Sequence, residues 1–173
     1  MLHRRTGFTL ATAAILPVAA LAQTATQAPT NRSTEDSRAN ERRQAGIASH
    51  FALITARIGV ERASNQDVRR FAQLEAAEQE ATMVAMEMAG LSVPREYTLP
   101  AEKQRILEQL QGQRGEAFDT AFLNGQRDGH NELLAIHTRL MRSAETPNER
   151  IISTMAVPGI RSHLVMIEML RSR

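Results

Sequence analysis

EAFDTAFLNGQRDGHNELLAIHTRLM, residues 116–141, decides the fold class. Phe118, Phe122, Gln126, His130, Leu133, Leu134, His137 and Met141 recur at steps of three and four, the spacing that lines up side chains on one face of an α-helix. Two imidazoles, His130 and His137, stand in a stripe otherwise suited to a core. The rest of the chain is read for the partners of that stripe.

Three further long helical patterns supply them. Residues 35–64 place Ile47, His50, Phe51, Ile54, Ile58 and Glu61 on the helical period, until Ser64-Asn65 breaks it. Asn65 can cap the next helix with its side-chain oxygen, and Asp67 suits that helix's first turn. Residues 66–89 carry Val68, Phe71, Ala72, Glu75, Thr82 and Met86 on one face, with Gly90 as the stop. Residues 91–100 hold Pro94 and Pro100 and read as a loop. Residues 101–111 form a short amphipathic helix around Ile106, Leu107 and Leu110. Thr146-Pro147 starts the last helix, which runs to residue 170 with Ile151, Ile152, Met155, His163 and Ile167. Pro158-Gly159 is expected to kink or break it, because proline lacks the backbone donor and clashes with the preceding turn. No strand-like alternation and no internal repeat occurs. The fold class is therefore all-α. Short turns join the first two and the last two long helices into antiparallel hairpins. The link between the hairpins, residues 90–115, can cross the length of a bundle. The expectation is a ferritin-like four-helix bundle with a long crossover containing a short helix.

At 173 residues the chain suffices for one domain with a core, and aromatics make up only 3% of it. Arg4 and Arg5 precede an apolar run, residues 8–21, and Ala20-Leu21-Ala22 offers small residues at the specificity positions of a signal peptidase. Residues 1–22 thus read as a signal peptide cleaved near Ala22, residues 23–37 as a flexible polar tether, and residues 38–173 as the bundle domain. The apolar run is short for a bilayer span and a polar stretch follows it, which favours cleavage over retention as an anchor. The mature protein is expected to be periplasmic or secreted, with no integral membrane span. Cleavage takes two of the 21 basic residues and leaves 19 against 19 acidic ones. With no basic patch carrying interleaved aromatics, nucleic acid is excluded as a partner. An envelope protein or a second copy of the chain is the expected partner. The absence of Cys removes disulfides and thiolate metal sites. No Ser-His-Asp set, nucleophile elbow or phosphate loop appears, so the reading is a binding or structural, stress-related envelope protein rather than an enzyme.

Polar residues on the core stripes supply the alternative. With 1.5 Å of rise per residue, Glu75 and Glu78 lie about 15 Å from the first helical turn, and His50 and His130 about 20 Å. His130 and His163 are nearly equidistant from the turn at residue 146. His50, Glu75, Glu78, His130 and His163 therefore share one layer, and His137 falls two turns away. Glu75, Glu78, His130 and His163 are the candidate ligands of a transition metal, whether iron, zinc or copper. The same residues can instead satisfy one another as a buried polar layer, in which case no cofactor is needed. The Glu-x-x-His pair of di-iron bundles is missing. Met83, Met86, Met88, Met155, Met166 and Met169 read as fillers of an aromatic-poor core.

Several motifs together resemble a known family. They are Phe71-Ala72 with Glu78-Gln79, Ala117-Phe118-Asp119 with Ala121-Phe122 and His130, and Pro158 followed by Ile160-Arg161-Ser162-His163-Leu164. In order and spacing they resemble the exported bacterial proteins grouped as domain of unknown function 4142, over residues 45–170. The resemblance implies a ferritin-like helical bundle in the cell envelope and no established activity. That family commonly has an Asp-His pair in its second helix, where this chain has Glu78-Gln79. The matched polar positions that remain are Asp119, His130 and His163.

Overall fold

The computed structural model describes residues 29–91, 94 and 96–172. It has five helices and no strand among the described residues: α1 (Pro29–Arg62), α2 (Gln66–Met88), α3 (Ala101–Gly112), α4 (Gly115–Ser143) and α5 (Pro147–Arg171). The leader, residues 1–22, and the start of the tether, 23–28, lie outside the described residues. The tether reading changes beyond that point, because residues 29–37 are helical. Residues 34–37 are exposed, so this part of α1 buries nothing and leaves no apolar period to read.

Local chemistry sets the helix ends. Asn65 Oδ1 accepts from the backbone N–H of Asp67 at 2.8 Å and of Val68 at 3.4 Å, the expected cap of α2. Gly90, at φ +74°, takes the left-handed turn that ends α2, and Leu91 N–H closes on the Met86 carbonyl. Thr146 caps α5 by accepting from Glu149 N–H, while the Glu149 carboxylate reaches back to Glu145 N–H.

Asp119 holds the α1–α2 turn from outside. Its carboxylate accepts from Ser64 N–H at 3.0 Å, Ser64 Oγ–H at 2.5 Å and Asn65 N–H at 2.8 Å. These bonds tie α4 to a turn whose Ser64 and Asn65 amides have no other acceptor among the described residues. Asp119→Ala is expected to destabilise the fold by about 2 kcal/mol, read as a lower urea midpoint, because bonds to a charged acceptor disappear together.

The pairings also fix direction. Along α1 and α4, Ala45 meets Leu140, Ala48 meets Leu133, Thr55 meets Gln126, and Ser64 meets Asp119. Residue numbers rise on α1 as they fall on α4, so the two helices are antiparallel. On α4 and α5, His137 meets Ser153 and His130 meets His163, again antiparallel. The α1–α2 hairpin is antiparallel as well, so α2 and α4 run the same way, as the long connection suggested. That connection carries α3 back across α1 and α4. Arg62 donates to the Gln111 carbonyl, and Lys103 pairs with Glu132 at 2.6 Å. The main core, near the α1–α2 turn, is built on Phe71, Phe118, Phe122, Leu110 and Ile167, with the Phe118 and Phe122 rings stacked.

Two expectations need correction. Helix α5 runs unbroken through Pro158. Pro158 is exposed, and the carbonyl its missing N–H leaves free belongs to exposed Thr154, which water can satisfy. The methionines are not all core fillers: Met88, Met155 and Met169 are exposed, in company with Leu74, Val84, Ile151 and Val165 on α2 and α5.

Candidate metal centre

Midway along the helices, α2, α4 and α5 each push one ionisable side chain into the interior. Glu75 follows Phe71 and Ala72 on the buried stripe of α2 and is fully buried. His130 lies on the buried face of α4 and His163 on that of α5. Glu75 Oε2 is 2.7 Å from His163 Nδ1 and 3.2 Å from His130 Nε2. The two imidazole nitrogens are 3.1 Å apart. Phe71 closes the cluster, its ring edge-on to His163 and tilted to His130.

Each member has its remaining polar atom tied down. His130 Nδ1 lies 2.8 Å from the Gln126 carbonyl, which can only accept, so Nδ1 carries a proton and Nε2 is turned toward the cluster. His163 Nε2 points outward to Glu78 Oε2 at 3.0 Å. Gln79, one turn along α2, donates to Glu75 Oε1 at 3.0 Å and leaves Oε2 for the two imidazoles. Gly159 gives Glu78 its room: a Cβ there would lie 2.9 Å from Glu78 Oε1.

The electrostatics follow from this geometry. Burial alone would raise the Glu75 carboxyl, but the hydrogen bonds and charge of His130 and His163 outweigh it and hold the pKa at about 2. Burial works to lower His163. It is outweighed by the hydrogen bond and charge of Glu75 and by Glu78, so the pKa is raised. Both His163 nitrogens face carboxylates, which favours the imidazolium form of the metal-free ring.

Glu75, His130 and His163 are the group among the described residues whose ligand atoms converge closely enough for one ion. Tetrahedral ligands about 2.1 Å from a zinc ion stand about 3.4 Å apart. The observed separations of 2.7, 3.1 and 3.2 Å need to open only slightly. Two members of the expected layer, one of them a candidate ligand, fall elsewhere. Glu78 is half exposed and touches only the outer nitrogen of His163, so it lies outside the converging set. His50 shares the level but faces out of the bundle, with its ring 5.8 Å from Tyr97, because position 50 lies beside the buried stripe of Phe51 and Ile47. Burial depresses its pKa, partly offset by Glu96, while Arg57 lowers it further. His137 stands apart, two turns along α4, paired with Ser153 at 3.2 Å. Sequence reading missed the role of Gln79. Its i, i+4 spacing from Glu75 was the available signal.

The family model for a domain of unknown function, DUF4142, matches residues 20–170. Among solved structures, a candidate secreted protein, DUF305, from Streptomyces coelicolor is similar at a TM-score of 0.61 and 15% identity. The match covers 75% of this chain and 87% of that one, and at this identity the likeness concerns the fold alone. No curated protein matches the chain at a significant level.

Proposed function

We propose that this protein, which belongs to the DUF4142 family, binds one divalent transition-metal ion through Glu75 Oε2, His130 Nε2 and His163 Nδ1. The observation that carries this is the pre-set orientation of all three donors. The Gln126 carbonyl, Glu78 and Gln79 each hold the atom that is not needed, and each needed atom points to one place. Such outer partners fix tautomer and ring direction in metal sites. Two imidazole nitrogens and one carboxylate oxygen, with no thiolate, suit zinc, iron(II) or copper(II) and leave further positions open. Binding displaces the Nδ1 proton of His163, and the retained Nε2–H stays on Glu78.

The α2–α4 crossover agrees with a ferritin-like bundle, which is the architecture we assign. The leader pattern and the fold neighbour described as secreted support export, with residues 1–22 removed and the domain acting in the periplasm or outside the cell. N-terminal sequencing of protein from the envelope fraction is expected to begin at Gln23.

Metal-free protein titrated calorimetrically with Zn²⁺ or Co²⁺ is expected to take up one ion per chain. At a hundredfold excess of free ion over Kd, the fold gains about 2.7 kcal/mol, visible as a higher Tm. Glu78→Gln is expected to weaken binding by roughly 10–100-fold, the usual effect of losing an outer partner. Absence of stoichiometric binding, with Tm unchanged by metal or chelator, overturns the reading and leaves a purely structural polar layer.

A further inference from the structure

At the far end of the bundle from the α1–α2 turn, a cavity of about 280 Å³ opens between α1, α2, α4, α5 and Tyr97. Its walls are mainly apolar: Met86, Leu91, Tyr97, Leu140 and Ile152. Two buried polar side chains, His137 and Ser153, also line it. The cavity is separate from the Glu75 cluster, since His137 lies seven residues from His130, about 10 Å along α4.

The His137–Ser153 pair is incomplete. His137 Nδ1 is 3.2 Å from Ser153 Oγ, while Nε2 has no protein partner among the described residues. Nε2 is not sealed in the interior but opens on the cavity, where a bound molecule can reach it. Ser153 also decides the tautomer. Thr55, Ser143, Thr154 and Ser162 send their hydroxyl protons back to the carbonyl one turn earlier. Ser153 makes no such bond, and its one partner is His137 Nδ1. On that pattern we assign the hydroxyl as donor to Nδ1, which puts the hydrogen of the neutral ring on Nε2, facing the cavity.

Charge at the mouth narrows the occupant. Arg42 pairs with Glu149 at 3.1 Å and reaches Glu145 at 3.7 Å, and Arg38 pairs with Glu145 at 2.6 Å. Among the described residues two cations face two anions there, so the described mouth offers an ionised ligand no free counter-charge. The volume lies just under the usual lower bound of about 300 Å³ for small-molecule pockets.

We propose that this cavity binds a small uncharged molecule with an apolar body and one hydrogen-bond acceptor, of the class of neutral ketones and esters, whose oxygen accepts from His137 Nε2–H. The body packs against Met86, Leu140 and Ile152. The site is independent of the metal centre.

The test uses acetophenone and ethylbenzene, which match in shape and differ in the acceptor, added to the whole protein with chelator present. Binding is read from the Met86 methyl and the His137 imidazole resonances. Acetophenone is expected to shift both saturably, and ethylbenzene to bind about tenfold more weakly, the usual worth of one hydrogen bond. His137→Phe is expected to abolish that preference. Ile152→Trp, which fills the cavity and leaves the polar pair in place, is expected to abolish binding of both probes. Absence of saturable shifts, equal binding of the two probes to the native protein, or unchanged acetophenone binding in Ile152→Trp each overturns the proposal.

Discussion

Glu75→Ala is expected to destabilise the metal-free protein by about 3–5 kcal/mol, the range found when one partner of a buried ion pair is removed. Glu75 is fully buried, and its Oε2 answers both imidazoles. Truncation leaves the His163 imidazolium with the exposed Glu78 alone and strips His130 Nε2 of its neighbour. The cavity from the lost side chain adds to the penalty. A urea unfolding series at pH 7 measures the loss, and metal uptake should vanish with it. The companion variant replaces Glu75, His130 and His163 together by Leu, Leu and Met. It should recover most of the stability, because an apolar replacement of a whole buried polar cluster is often neutral or better. Recovery of stability without metal uptake would show that the cluster is kept for binding. A Glu75→Ala cost below about 1 kcal/mol would mean that the three groups are not coupled in solution.

The helical stripes carried most of this arrangement in plain view. Steps of three and four gave α2, α4 and α5, the Asn65 and Thr146 caps gave two turns, and counting 1.5 Å per residue put Glu75, His130 and His163 at one level. Level is a property of sequence position, but facing is not. His50 sits at the right height and points the wrong way, because a shift of one residue on a helix turns a side chain by about 100°. Glu78, three residues from Glu75, is displaced by about 60° in the other sense, enough to move it from the cluster to its outer edge. The start of α1 and the continuity of α5 at Pro158 were illegible for different reasons. Residues 34–37 are exposed and leave no periodic trace, and at Pro158 the buried neighbours Val157 and Ile160 keep the helix packed although the ring itself is exposed. The His137–Ser153 pair joins residues on two helices through a hydroxyl and a ring, and no spacing rule announces it.

Metal-free protein is expected to be most stable in a window above about pH 6.5, with separate titrations behind its acid and alkaline flanks. Burial depresses His137 from 6.5 to about 4 in the folded protein. The folded state therefore prefers the neutral ring, and the stability this represents is whole above pH 6.5 and lost as pH falls toward 4. Glu75 is held at about 2 against 4.5 unfolded, so its contribution is whole above pH 4.5 and lost on the way down to 2. Each shift corresponds to on the order of 3 kcal/mol at about 1.4 kcal/mol per pH unit, so the acid flank falls in two successive steps. His163 acts in the opposite sense. Its raised pKa gives stability that is whole below the unfolded value of 6.5 and lost as pH rises through the folded value. Chemical unfolding at intervals from pH 3 to 9 resolves the flanks. His137→Leu should flatten the step between pH 6.5 and 4 and leave the lower one. His163→Gln should remove the alkaline loss and weaken the Glu75 step, because the charge that holds that carboxyl down is gone. If His137→Leu kept the full slope between pH 6.5 and 4, the upper step would belong to another group, and His137 would be hydrated rather than buried in solution.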